Sequence, residues 1–118
     1  MYRDEILGHY KNPRNIGELE TGIDAEAENP SCGDRTHVYL EVEDGKIAGM
    51  RHETDGCAIS TAATSILSRE IAGMEVNEVL ELDRDWMVET LGVEVSPMRM
   101  KCAILGLKTV QEALEKEV

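Results

Sequence analysis

The spacing of apolar residues changes period along the chain. Residues 2–11 follow a helical period, with Ile6, Leu7 and Tyr10 on one face and Arg3, Asp4, Glu5 and Lys11 mostly elsewhere. Asn12-Pro13-Arg14-Asn15 ends that helix, because the residue before a proline avoids the helical region. Residues 16–28 are irregular, with Gly17 and Gly22, and only Asp24 to Glu28 suits an edge strand. From Thr36 to Glu43 the pattern alternates, with Val38, Leu40 and Val42 on one face and His37, Tyr39 and Glu41 on the other. Asp44-Gly45 predicts a two-residue hairpin turn, and Lys46 to Thr54 is the return strand. With that turn Ile47 faces Val42 and extends the same apolar face.

Helical spacing resumes at Ser60. Ala62, Ala63, Ile66, Leu67 and Ile71 trace one stripe, which Gly73 ends. Asn77 to Leu82 suits a short helix. Asp83 is the expected N-cap of another, carrying Trp86, Met87 and Leu91 and stopping at Gly92. Ser96-Pro97 reads as an N-cap and first-position pair for the last helix. That helix buries Met100, Ala103, Ile104, Leu107, Val110 and Leu114, with Cys102 in its first two turns.

Composition narrows the class. A chain of 118 residues fits one domain, residues 1–118, with a modest core. It has no Phe, so that core is aliphatic. No run approaches the roughly 20 apolar residues of a membrane span, and the charged start Met1-Tyr2-Arg3-Asp4-Glu5 is unlike a signal peptide. A cytoplasmic protein without a membrane partner is expected. The net charge of −12 repels phosphate backbones, which excludes nucleic acid as the expected partner.

The candidate chemistry lies in three cysteines. An odd number without a secretory signal points to metal or redox chemistry rather than a disulfide framework. Cys32 stands in Asn29-Pro30-Ser31-Cys32-Gly33-Asp34, a glycine-hinged loop with a carboxylate two residues on; Cys57 follows Gly56, and Cys102 follows Arg99-Met100-Lys101. The hairpin returns the chain, so the Cys32 loop and Cys57 are expected side by side. The helix beginning after Cys57 aims its N-terminal N–H groups at that thiol. Three thiols and one carboxylate, if brought together, form a four-ligand site for zinc or for iron with sulfide. His9 reads as an ordinary surface or boundary histidine, and His37 and His52, on strands without a nearby ligand pattern, read as structural. No phosphate loop or hydrolytic triad is present.

These segments resemble the iron–sulfur cluster assembly scaffolds, the IscU, NifU N-terminal and SufU relatives. The resemblance runs from Tyr10-Lys11-Asn12-Pro13-Arg14-Asn15 through Asn-Pro-Ser-Cys-Gly-Asp to Cys102 and the helix after it. It implies an α+β fold, a small antiparallel sheet of about three strands packed against a layer of helices. It implies a [2Fe–2S] cluster carried by Cys32, Cys57 and Cys102, with Asp34 as an exchangeable fourth ligand. The partners it implies are a cysteine desulfurase as sulfur source and apo iron–sulfur proteins as acceptors. The protein would act as a non-enzymatic carrier, a monomer or a cluster-bridged dimer.

Two departures qualify the likeness. The bacterial scaffold branch has His before the third cysteine, where this chain has Lys101. Lysine there resembles the SufU branch, which binds zinc and relays sulfur. Lys101, assisted by Arg99, is expected to act electrostatically beside Cys102. The cysteine spacing follows the scaffold branch, since the SufU branch carries an extra segment between its second and third cysteines. Secondly, Val95-Ser96-Pro97-Met98-Arg99 replaces the Leu-Pro-Pro-Val-Lys segment read by a dedicated Hsp70-type chaperone. That change argues against chaperone-driven release.

Overall fold

The alternating stretch after Asp34 becomes the central strand of a three-stranded antiparallel sheet. The computed structural model describes residues 2–30 and 33–116. Strands β1 (Ile23–Asn29), β2 (Asp34–Glu43) and β3 (Lys46–Asp55) lie in the order β1-β2-β3. Helix α1 (Tyr2–Lys11) precedes them, and α2 (Ala58–Glu70), α3 (Val76–Glu81), α4 (Arg84–Leu91) and α5 (Met100–Glu115) follow. The α+β class and the helical layer are as the resemblance implied. Among the described residues no helix is long and apolar enough to cross a membrane.

The β2–β3 turn forms as expected. Asp44 and Gly45 adopt φ of 52° and 74°, the left-handed pair of a type I′ turn, and Val42 faces Ile47. Only Ile47 is covered by the core, however. The register shifts after Glu41, whose partner is Gly49, so Ala48 is the extra residue of a bulge. Ile47 is buried while Val42 is 40% exposed.

The inner face of the sheet, with Val38, Leu40, Ile47 and Met50, packs against α2 and α5 in one aliphatic core. Helix α2 is buried on every side from Ser60 to Ser68. Helix α5 buries Ala103, Leu107, Val110 and Leu114 as expected, with Met100 and Ile104 half-buried. The two helices come close where Gly106 faces Thr64. A Cβ on residue 106 would stand 2.6 Å from Thr64 Oγ1.

Helix α1 turns a different face inward from the expected one. Ile6 and His9 are buried, whereas Leu7 and Tyr10 are 41% and 44% exposed. The reason is polar. Ser65 Oγ accepts from the Arg14 amide at 2.7 Å and lies within hydrogen-bond distance of His9 Nδ1, 2.6 Å away. Asn15 Nδ2 donates to Ser68 Oγ at 2.9 Å. Burial holds the His9 pKa below its ordinary value, helped by Arg14 and Arg69 and opposed by Glu5.

His52 is likewise structural. Its Nε2 donates to the Arg14 carbonyl at 2.9 Å, which leaves Nδ1 to accept from Thr54 Oγ1 at 3.0 Å. Its backbone bonds Asn15 and Gly17, fastening residues 15–17 to the edge of β3. Burial lowers the His52 pKa, against the opposing bond to Arg14.

The caps of α4 are as expected: Asp83 Oδ1 accepts from Trp86 N at 2.9 Å, and Gly92 closes the helix at φ 72°. The start of α5 is later than Ser96-Pro97 suggests. Residues 97–99 form a turn in which Arg99 N bonds Ser96 O, and the helix begins at Met100.

Candidate metal centre

Three segments meet at one end of the sheet, between the start of β2 and the N-termini of α2 and α5. Asp34 opens β2 in the inward-facing row with Thr36, Val38 and Leu40. The preceding loop is closed by the Gly33 amide on the Asn29 carbonyl at 2.7 Å, with Gly33 at φ 77°. Glycine suits that left-handed position. Asn29 in turn pairs with Asp34. Cys57 is the N-cap residue of α2, in extended conformation, and its carbonyl accepts from Thr61 N at 3.1 Å. Cys102 is the third residue of α5.

A carboxylate oxygen of Asp34 and the sulfurs of Cys57 and Cys102 all lie within 4.8 Å of one another. Asp34 is 2% exposed and Cys102 5%, while Cys57 is half-buried and gives the cluster its access. Cys32 lies outside the described residues. The expected proximity holds for the described part of its loop: Arg35 pairs with Asp55, and Asp34 touches Cys57.

Two neutral donors fix the carboxylate. The Cys57 amide reaches Oδ1 at 2.9 Å, and Ser60 Oγ reaches Oδ2 at 2.7 Å. Ser60 is fully buried and also lies 3.4 Å from the Cys102 carbonyl. It touches all three segments, although its residue type does not mark it as a ligand. The available signal was its spacing: a residue three after Cys57 stands on the same helix face. Gly56 supplies the remaining space, since a Cβ there would fall 2.5 Å from Asp34 Oδ1.

The donor set suits a metal of borderline softness. Zinc binds thiolate at about 2.3 Å and carboxylate oxygen at about 2.1 Å, so a tetrahedral sulfur–oxygen pair stands roughly 3.6 Å apart. Cys57 Sγ and Asp34 Oδ2 are 3.8 Å apart already. Three donors leave the fourth position of a tetrahedral shell open. Lys101 and Arg99 are both exposed. Arg99 is the N-cap residue of α5, and the Lys101 carbonyl accepts from Asn29 Nδ2 at 3.2 Å.

The histidines are not brought to the donor set. His37 stands on the outer face of the sheet, between Asp24 at 2.6 Å and Glu26 at 3.1 Å. It stacks on Tyr39, whose hydroxyl donates to Glu53. Desolvation and then that bond push the Tyr39 pKa up to about 12.

Residues 1–116 match the family described as NifU-like N terminal domain. The zinc-dependent sulfurtransferase SufU of Bacillus subtilis is 33% identical, over 99% of this chain and 91% of the relative. That alignment spans 134 positions, more than the 118 residues of this chain, so the relative carries residues that this chain lacks. The iron–sulfur cluster assembly scaffold protein IscU 1 of Archaeoglobus fulgidus is also 33% identical, over 97% of this chain and 74% of the relative, in 116 aligned positions. Among solved structures, a chain from Fervidobacterium islandicum AW-1, named as a candidate scaffold for iron–sulfur cluster assembly in the SUF system, superimposes with a TM-score of 0.79. It is 29% identical, and 94% of each chain is covered.

Proposed function

We propose, on the premise that the chain belongs to the NifU-like N-terminal domain family, that it is a scaffold on which a [2Fe–2S] cluster is assembled and then passed to apo-proteins. One observation carries this reading: a single buried carboxylate, Asp34, closes a set otherwise made of thiols. Thiolates suit iron and sulfide, whereas carboxylate is the harder and more readily exchanged donor. Cys32, two residues before Asp34 in sequence, is the remaining ligand of the proposal. The cluster is the cargo of this chain, with sulfur supplied by a cysteine desulfurase.

In this scheme the protein positions ligands rather than turning over substrate. Ser60 and the Cys57 amide hold Asp34 over the half-buried Cys57, the side from which iron and sulfur enter. Release begins at Asp34, the weakest ligand. The chelator-stripped protein, given ferrous iron and sulfide without oxygen and then re-purified, is expected to show strong sulfide-to-iron absorption that fades on adding an apo-ferredoxin. Asp34→Ala should lengthen the lifetime of the cluster, and Cys57→Ala should abolish it. A colourless protein that rebinds only zinc would overturn the scaffold reading.

A second reading, zinc-dependent sulfur transfer, is favoured by the likeness to the Bacillus subtilis sulfurtransferase and by Lys101 beside Cys102. One of the thiolates would attack the outer sulfur of a desulfurase persulfide. A new S–S bond would form as the old one breaks, and the desulfurase would leave as thiolate with no net redox change. Relatives named as IscU scaffolds in Archaeoglobus fulgidus and Thermotoga maritima favour the scaffold reading over this one. Desulfurase turnover that is no faster in the presence of the zinc form would dismiss the transfer reading.

A further inference from the structure

An acidic surface is interrupted by one cationic groove beside the donor set. Helix α5 lines it with Lys101, Ile104, Leu105 and Lys108, joined by Met100 and by Arg84 at the start of α4. Steps of three and four residues place the α5 side chains on one stripe of the helix. Lys101 and Lys108 are seven residues apart, about 10 Å along the axis. Leu105 is buried and Ile104 half-buried, whereas the three cations are exposed. The groove therefore has an apolar floor between two separated positive charges, with a third charge from α4.

Among the described residues no carboxylate lines this groove, although the chain has 24 acidic against 12 basic residues. Among the described residues neither Arg84 nor Lys108 has an ion-pair partner. The groove encloses about 240 Å³. That is below the usual range of small-molecule sites, roughly 300–1,000 Å³, and suits one or two aliphatic side chains. Its position is also informative. Lys101 immediately precedes Cys102, and the Asn29 bond to its carbonyl ties the groove to the end of β1.

We propose that this groove docks a short acidic amphipathic helix of a partner protein. Leucine-type side chains would sit over Ile104 and Leu105, with a carboxylate about one turn to either side facing Lys101 and Lys108, and a third facing Arg84. Such a helix-in-groove contact is read through anchors at steps of three, four and seven residues. A second copy of this chain is a poor occupant, since each copy carries a charge of −12 and the two repel. The purpose of the contact rests on the scaffold reading: it holds a partner that loads or receives cargo next to Cys102.

The test uses a capped synthetic helix with glutamates at its first and eighth positions and leucines at the fourth and fifth, titrated into the isotope-labelled, zinc-loaded protein. Amide shifts are expected at residues 84 and 100–108, with an affinity that weakens as salt rises from about 50 to about 500 mM. The Arg84→Glu/Lys108→Glu variant should bind at least about tenfold more weakly, with its melting temperature and zinc content unchanged. Shifts elsewhere or none at all, equal affinity in the variant, or displacement of a self-associated dimer by the peptide would each overturn the proposal. Cluster reconstitution on the same samples separates the two ideas. A protein that docks the peptide but holds no cluster keeps the groove and loses the scaffold reading, and one that holds a cluster but ignores the peptide does the reverse.

Discussion

The Asp34 carboxylate rests directly on Gly56: a Cβ at position 56 would stand 2.5 Å from Oδ1 and 2.9 Å from Cγ. Asp34 is gripped from the other side by the Cys57 amide and by Ser60, so it cannot retreat without losing one of them. Gly56→Ala should therefore destabilise the fold by about 1–3 kcal/mol, as overpacking does. It should also weaken zinc binding by about 10–100-fold, as loss of ligand orientation does. Thermal melting and chelator competition read the two effects separately. Unchanged zinc affinity would show that Asp34 is not a ligand.

Ser60→Ala removes the hydroxyl that orients Asp34 Oδ2 from a fully buried position. A buried acceptor left without its partner costs about 1–3 kcal/mol, measurable as a lower urea midpoint. In the loaded protein the loosened carboxylate should release metal to a chelator faster than in the wild type. An unaltered release rate would reduce Ser60 to a packing role.

Gly106 sets how closely α5 approaches α2. Gly106→Ala would push against Thr64 Oγ1 at 2.6 Å and Cγ2 at 3.1 Å, costing about 1–3 kcal/mol. Thr64→Ala added to Gly106→Ala should recover most of that loss, because it removes the two nearest of the three obstructing atoms and leaves only Cβ, at 3.2 Å. A double-mutant cycle on unfolding free energies checks the coupling. Purely additive effects would show that the two residues do not compete for space.

His52 and His9 tie stability to pH. Burial lowers the folded-state pKa of both, so the unfolded chain binds protons more readily. The stabilisation is fully present above the unfolded value of about 6.5. It is lost as pH falls from there through the depressed folded values. Denaturant titrations at pH 7.5 and pH 5.5 should show a lower unfolding free energy at the acid end, and His52→Gln should flatten the difference. A wild-type profile already flat between those values would contradict the neutral assignment.

Local signals made most of the fold legible. Asp44-Gly45, the Asp83 cap and the Gly92 stop act through their own backbone conformations, and each stands where the sequence places it. The misreadings concern tertiary choices. Leu7 and Tyr10 are apolar and exposed, while His9 is polar and buried, because Ser65 on a distant helix offers the imidazole a hydrogen bond. Val42 is exposed at the hairpin end of β2, opposite a β3 whose own alternation is broken by the bulge at Ala48. In the site, Asp34, Cys57 and Cys102 announce themselves as ligand types. Ser60 does not, since a serine one helical turn after a cysteine acquires meaning only once Asp34 arrives from β2.

The donor set draws one group from a strand and two from helix starts far apart in sequence. No local stretch can hold cargo by itself, so capture reports on the completed fold. The same arrangement works in reverse as a clock. A single opening of the first turn of α5 withdraws Cys102 while leaving Asp34 and Cys57 in place. Fraying of that turn is then a second exit for a bound cluster, beside ligand exchange at Asp34.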